Sequence, residues 1–208
     1  MSRNYGVTLS KDLDKYELEA TKTYLTGVEE MMNEFPQLKG EIREIGGKIG
    51  GKAFAGMTFD GRLHLNPKKM KQLSQAEAGF KSNVDSGFHP QGATAKGITV
   101  HEMGHAVEAY LIRKKYPEGQ PKYAINRALS WNKGDVAKEI VSSAMDRAVK
   151  GWRRDKSLAT SAVQSISRYA ASNASETIAE AVCDYMANRS NAKPLSREIW
   201  NELKNRVK

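Results

Sequence analysis

Apolar residues recur along this chain at two periods, and the change between them divides it. Over residues 9–34, Leu13, Tyr16, Leu18, Leu25, Val28, Met31 and Met32 fall at helical spacing. Ser10 is placed to cap this helix, and Pro36 and Gly40 end it. Over 41–66 the apolar runs shorten and turn residues separate them. Residues 41–49 predict a strand broken by Gly46-Gly47 and Gly50-Gly51. Residues 54–59 and 62–65 flank Asp60-Gly61, a hairpin signal, and Asn66-Pro67 stops the second strand. Residues 68–96 are mixed, with a short helix expected near 68–78 and a Gly/Pro loop over 86–92.

The helical period then returns and stays. A helix is expected from Thr94 or Gly97 to Lys115, with Val100, Met103, Val107 and Leu111 as its core stripe. Further helices are expected near 134–150, 157–169, 173–188 and 194–207. Ser172 or Asn173 can cap the third of these and Pro194 opens the last. The pattern predicts an α+β fold in one domain, 1–208: a small, mostly antiparallel sheet, a central helix and a helical C-terminal lobe. Residues up to about 116 would form the sheet-bearing lobe and 117–208 the helical one.

The central helix carries His101-Glu102-Met103-Gly104-His105, an H-E-x-x-H sequence. Residues four apart share a helix face, so two imidazoles can meet one metal ion with Glu102 beside them. That pattern suits zinc-assisted amide hydrolysis, in which a carboxylate serves as general base. His101, Glu102 and His105 lie beside the core stripe, so this helix should be buried on more than one side.

Charge and composition narrow the picture less. The formal net charge is +9, but the basic residues are dispersed, as in Lys68-Lys69, Arg113-Lys114-Lys115 and Arg153-Arg154. They read as solvated helix faces, without the aromatic interleaving of a nucleic-acid binder, which argues against nucleic acid as a partner. No apolar run approaches the roughly 18 residues of a membrane span, and the N-terminus lacks a signal-peptide core. Cys183 is the single cysteine, which excludes an internal disulfide and fits a cytoplasmic protein.

A catalytic zinc site takes three protein ligands. No histidine follows His105, so a downstream ligand must be a carboxylate. Glu176 and Glu180 stand four apart in a segment, 175–185, that is rich in Ala and apolar residues and has no Lys or Arg. Such a pair needs a partner, and a cation is a good one. Glu176 is assigned to the metal and Glu180 to the imidazole behind it, with the reverse assignment as the competitor. Glu108 and Leu111 stand where a metzincin would have Gly and His, which excludes that class.

His101-Glu102-Met103-Gly104-His105, followed by Tyr169 and then Glu176 and Glu180-Ala181, resembles the gluzincin branch of zinc metallopeptidases. The likeness is nearest to the catalytic domain of anthrax lethal factor and its relatives in phage and mobile-element proteins. The resemblance implies a zincin-like fold and one zinc ion held by His101, His105 and Glu176. It implies Glu102 as the base that activates zinc-bound water, and Tyr169 as the phenol that binds the oxyanion. It covers about a sixth of the chain. The 70 residues between His105 and Glu176 (106–175) imply extra helical structure, and Thr177 and Ile178 replace aromatic residues common in that group.

The expected activity is a metalloendopeptidase whose substrate, a protein or peptide, binds as an extended strand along the 54–65 hairpin. The expected location is cytoplasmic or phage-associated, with no membrane partner. Two alternatives remain: an inactive metal-stabilised module that docks to a phage particle or nucleic acid, and a zinc hydrolase of cell-wall peptide. His64 is expected on a strand surface and Cys183 in the core. His89, in the loop before the central helix, is close enough in sequence to reach the cleft and polarise substrate.

Overall fold

The computed structural model describes residues 5–208. The chain opens on β1 (Thr8–Leu9) and a 3-10 turn (Lys11–Lys15), then enters α1 (Leu18–Glu34). The helix expected over 9–34 is therefore divided. Ser10 does act as a cap, but of the short turn, where its hydroxyl accepts from the Asp12 amide. The break is tertiary in origin. The Glu17 amide donates to the Lys71 carbonyl at 2.8 Å, and the Glu17 carboxylate accepts from the Leu73 amide at 2.9 Å.

The sheet follows with β2 (Glu44–Lys48), β3 (Ala55–Met57) and β4 (Arg62–Leu65). Its order is β1-β2-β4-β3. The expectation of a mostly antiparallel sheet is corrected here. β1 runs parallel to β2 and β2 parallel to β4, and only the β3–β4 hairpin is antiparallel. After β2 the chain skips a position, descends as β3 at the far edge, and returns as β4 in between. Alternation along a strand identifies its two faces, but not which strand lies beside it. A bulge between Ile45 and Gly47 shifts the β2–β4 register, and Gly46 sits there at φ +99°, a conformation open to glycine. Ile45, Leu63 and Leu65 bury the inner face.

Two short-range helices, α2 (Pro67–Met70) and α3 (Leu73–Asp85), lead to the central helix α4 (Lys96–Lys115). α4 packs against α1 and β3 and, most extensively, against α8 (Ala174–Asn188). It is buried on several sides, because its neighbours take up more than one face. Between α4 and α8 come α5 (Tyr123–Lys133), α6 (Asp135–Ala148), α7 (Lys156–Ile166) and a 3-10 turn (Tyr169–Ser172). α9 (Pro194–Arg206) closes the chain. The sequence pattern does not predict α5, for a physical reason: Ser130 is its only buried residue, and Ile125 and Leu129 are exposed, so it has no core stripe. Among the described residues, no helix is long and apolar enough to cross a membrane.

Candidate metal centre

One close helix contact brings the two sequence blocks together. A Cβ on Gly104 of α4 would lie 2.9 Å from the Ala179 Cα of α8. Glycine there lets the backbones approach, and Glu176, about one turn before Ala179, then reaches the imidazoles of α4. Asn173 fixes the start of α8: its side-chain oxygen accepts from the Glu176 amide at 3.0 Å.

Glu176 Oε2 lies 3.2 Å from His101 Nε2 and 3.5 Å from His105 Nε2. The three candidate ligand atoms fall within 4.8 Å of one another. Tetrahedral zinc with bonds of about 2.0–2.1 Å needs ligand atoms about 3.4 Å apart. Glu176 Oε2 is also buried with no hydrogen-bond partner. An unpartnered carboxylate oxygen facing two imidazole nitrogens is an arrangement that a cation satisfies. His101, His105 and Glu176 can thus hold a metal ion.

Glu180 stands on the other side of His101. Its Oε1 accepts from His101 Nδ1 at 2.7 Å and from His89 Nδ1 at 3.0 Å, and its Oε2 accepts from the Ser167 hydroxyl at 2.7 Å. A proton on His101 Nδ1 leaves the Nε2 lone pair directed toward Glu176. Of the two acids left open by the sequence, Glu176 is the one that meets both Nε2 atoms. His89 joins the cluster through Glu180, with its ring stacked on Phe80 at 4.7 Å.

His105 has a carboxylate behind it too, which sequence reasoning missed. Glu108 is fully buried, and its Oε2 lies 4.0 Å from His105 Nδ1. The Ser175 hydroxyl donates to Glu108 Oε1 at 3.1 Å, while Oε2 has no hydrogen-bond partner. The signal was present, since an acid three residues after a candidate ligand histidine shares its helix face.

These groups shift one another strongly. Burial works against the charge on His105, but the Glu108 and Glu176 carboxylates outweigh it and push the imidazole up to about 9. Burial likewise opposes charge on His101, and Glu176 and Glu180 raise it well above the ordinary histidine range. Burial also disfavours the charged carboxylates. His101 and His105 nonetheless hold Glu176 far below the usual range, and His101 and His89 bring Glu180 down to about 2. Both acids are therefore anionic at neutral pH, as a cation site requires.

A cleft of about 490 Å³ opens over the centre, lined by His101, Glu102, His105, Tyr169 and Glu176 and walled by the edge strand β3. A second cavity of about 270 Å³ shares His101, Glu102 and Tyr169 with it. Tyr169 is held on the loop over 86–92: its amide donates to the Phe88 carbonyl at 3.1 Å and its ring stacks on Phe88 at 4.9 Å. Burial, and then the Glu176 carboxylate, raise its phenol above the ordinary value, which keeps it a protonated donor. Trp131 of α5, unforeseen in the sequence, also lines the cleft, edge-on to His105 at 6.4 Å.

Of two other expectations, the one for Cys183 holds and the one for His64 does not. Cys183 is buried, with its thiol pushed up by burial. His64 is not a surface residue but half-buried, because β4 lies between β2 and β3 and the ring packs over Gly47. What this centre does rests on its own residues, since no protein-family model, curated protein or solved structure matches the chain.

Proposed function

We propose that this chain is a zinc-dependent metalloendopeptidase of the gluzincin type, with a zincin-like arrangement of edge strand and central helix. One observation carries the reading: Glu176 Oε2, buried and unpartnered, faces His101 and His105, while Glu102 and Tyr169 line the same cleft. His101, His105 and Glu176 would hold the ion. Bound zinc supplies Lewis acidity, which acidifies water and polarises a carbonyl.

The chain's own groups do the rest. Glu102 takes a proton from the attacking water and returns it to the leaving amine. The Tyr169 phenol donates a hydrogen bond to the carbonyl oxygen as charge develops there. Glu180 holds the His101 imidazole in orientation, and Glu108 places a buried carboxylate behind His105. The β3 edge, which walls the cleft, offers backbone groups to an extended peptide, so main-chain pairing gives affinity with little sequence demand.

Metal content and peptide cleavage, measured together, test the reading. Wild-type protein is expected to hold about one zinc per chain and Glu176→Ala to hold none under the same conditions. Glu102→Gln should keep the zinc and lose about 10²–10⁴-fold in cleavage rate. Cleavage by Glu102→Gln at the wild-type rate would remove Glu102 as the base. A wild-type protein that takes up no zinc when it is offered would end the reading.

A further inference from the structure

The two cavities that meet at the metal centre differ in chemistry. One is walled by Phe54, Phe80, Phe88 and Ile98. The other extends past His105 to Trp131, Lys133 and Lys138. Both border Ala55 of β3, so a peptide laid along that edge passes from one environment to the other across the centre.

The charges are one-sided. Apart from Glu102 and Glu176 at the centre, the charged residues that line the two cavities are Lys52, Lys133 and Lys138. Lys138 is loosely paired, with Asp135 3.7 Å away and both side chains exposed. Lys133 is exposed at the C-terminal end of α5. The chain's net charge of +9 adds a long-range attraction of the same sign.

We infer that the cleft selects a peptide with a carboxylate over Lys133 and Lys138 and a large apolar side chain over the Phe54, Phe80 and Phe88 end. This names a substrate class for the site and rests on the peptidase reading above. An acidic side chain and a free C-terminus would present the same carboxylate chemistry to the two lysines. The apolar cavity buries a side chain for affinity, whereas the solvated lysines add a modest, salt-sensitive preference.

The test uses zinc-loaded Glu102→Gln protein and fluorescence anisotropy with three labelled peptides built around one phenylalanine. One carries flanking glutamates and an amidated end, one carries flanking lysines and an amidated end, and one carries neutral flanks and a free C-terminus. The glutamate peptide should bind about five- to twenty-fold tighter than the lysine peptide at low salt, and the gap should close at high salt. The double variant Lys133→Glu/Lys138→Glu should reverse the order; both side chains are exposed, so its fold should survive. A preference seen only with the free C-terminus would assign the carboxylate to the chain end. Equal binding of all three peptides, or a preference that survives the charge reversal, would overturn the proposal.

Cleavage by the wild type, run beside the binding assay, separates this proposal from the reading beneath it. Cleavage of all three peptides at equal rates removes the charge preference and leaves the peptidase. The expected binding order with no cleavage of any peptide removes the peptidase and keeps the carboxylate-selecting cleft.

Discussion

The two sides of the candidate metal centre are built with the same parts and different tightness. Behind His101, Glu180 accepts from both His101 and His89 and also from Ser167, at 2.7–3.0 Å. Behind His105, Glu108 sits 4.0 Å away, and only the Ser175 hydroxyl engages it. The His101 side is anchored to three segments: α8, the loop over 86–92 and the stretch before the 3-10 turn. The His105 side depends on its own helix and one hydroxyl. One imidazole is thus fixed in tautomer and direction, while the other keeps room to adjust next to the wall made by Trp131.

Removing each carboxylate in turn puts that contrast at risk. Glu180→Ala should weaken zinc binding by about 10–100-fold, read by competition with a chromogenic chelator, because three donors lose one acceptor together. Glu108→Ala should cost less, below about tenfold, since the imidazole loses no close hydrogen bond, only a carboxylate 4.0 Å away. Equal losses from the two variants would mean that the centre is symmetric after all.

The smallest expected effect is on the metal-free protein's stability against pH. His105 is raised to about 9 from an ordinary 6.5, so its contribution is complete below about 6.5 and is lost as pH rises through about 9. Glu180 is lowered to about 2 from 4.5, so its contribution is complete above about 4.5 and is lost as pH falls through about 2. Chelator-treated protein should therefore melt highest near pH 5–6 and a few degrees lower on either side. In Glu180→Ala the acid-side fall should shrink while the alkaline-side fall remains. A profile unchanged by that variant would separate Glu180 from the titration.

Much of the centre was legible because ligand sets obey spacing rules. His101 and His105 share a helix face by their separation alone, and Glu176 stood out as an acid in a segment without cations. The helix that carries the two histidines is found within a residue or two of its expected bounds, since its apolar stripe is continuous. What was not legible depends on contacts between distant segments. The parallel pairing of β2 with β4 follows from where β3 is laid down, which no local pattern encodes. The break at Glu17 is made by Lys71 and Leu73. The helix bearing Trp131 and Lys133 buries only Ser130, and its Ile125 and Leu129 stay exposed, so its apolar residues do not join the core. Glu108 was visible as a neighbour of His105 on the same helix face, but its hydrogen bond from Ser175 of α8 was not, since that contact joins distant segments.

The contact between Gly104 and Ala179 works as a gauge block. Two touching backbones set how far Glu176 stands from both imidazoles, and that gap defines the calibre of ion that fits. A single methyl group at position 104 would thicken the block and widen the gap, favouring a larger ion such as cadmium over zinc. The choice of ion at such a site would then be inherited from a residue that never touches it.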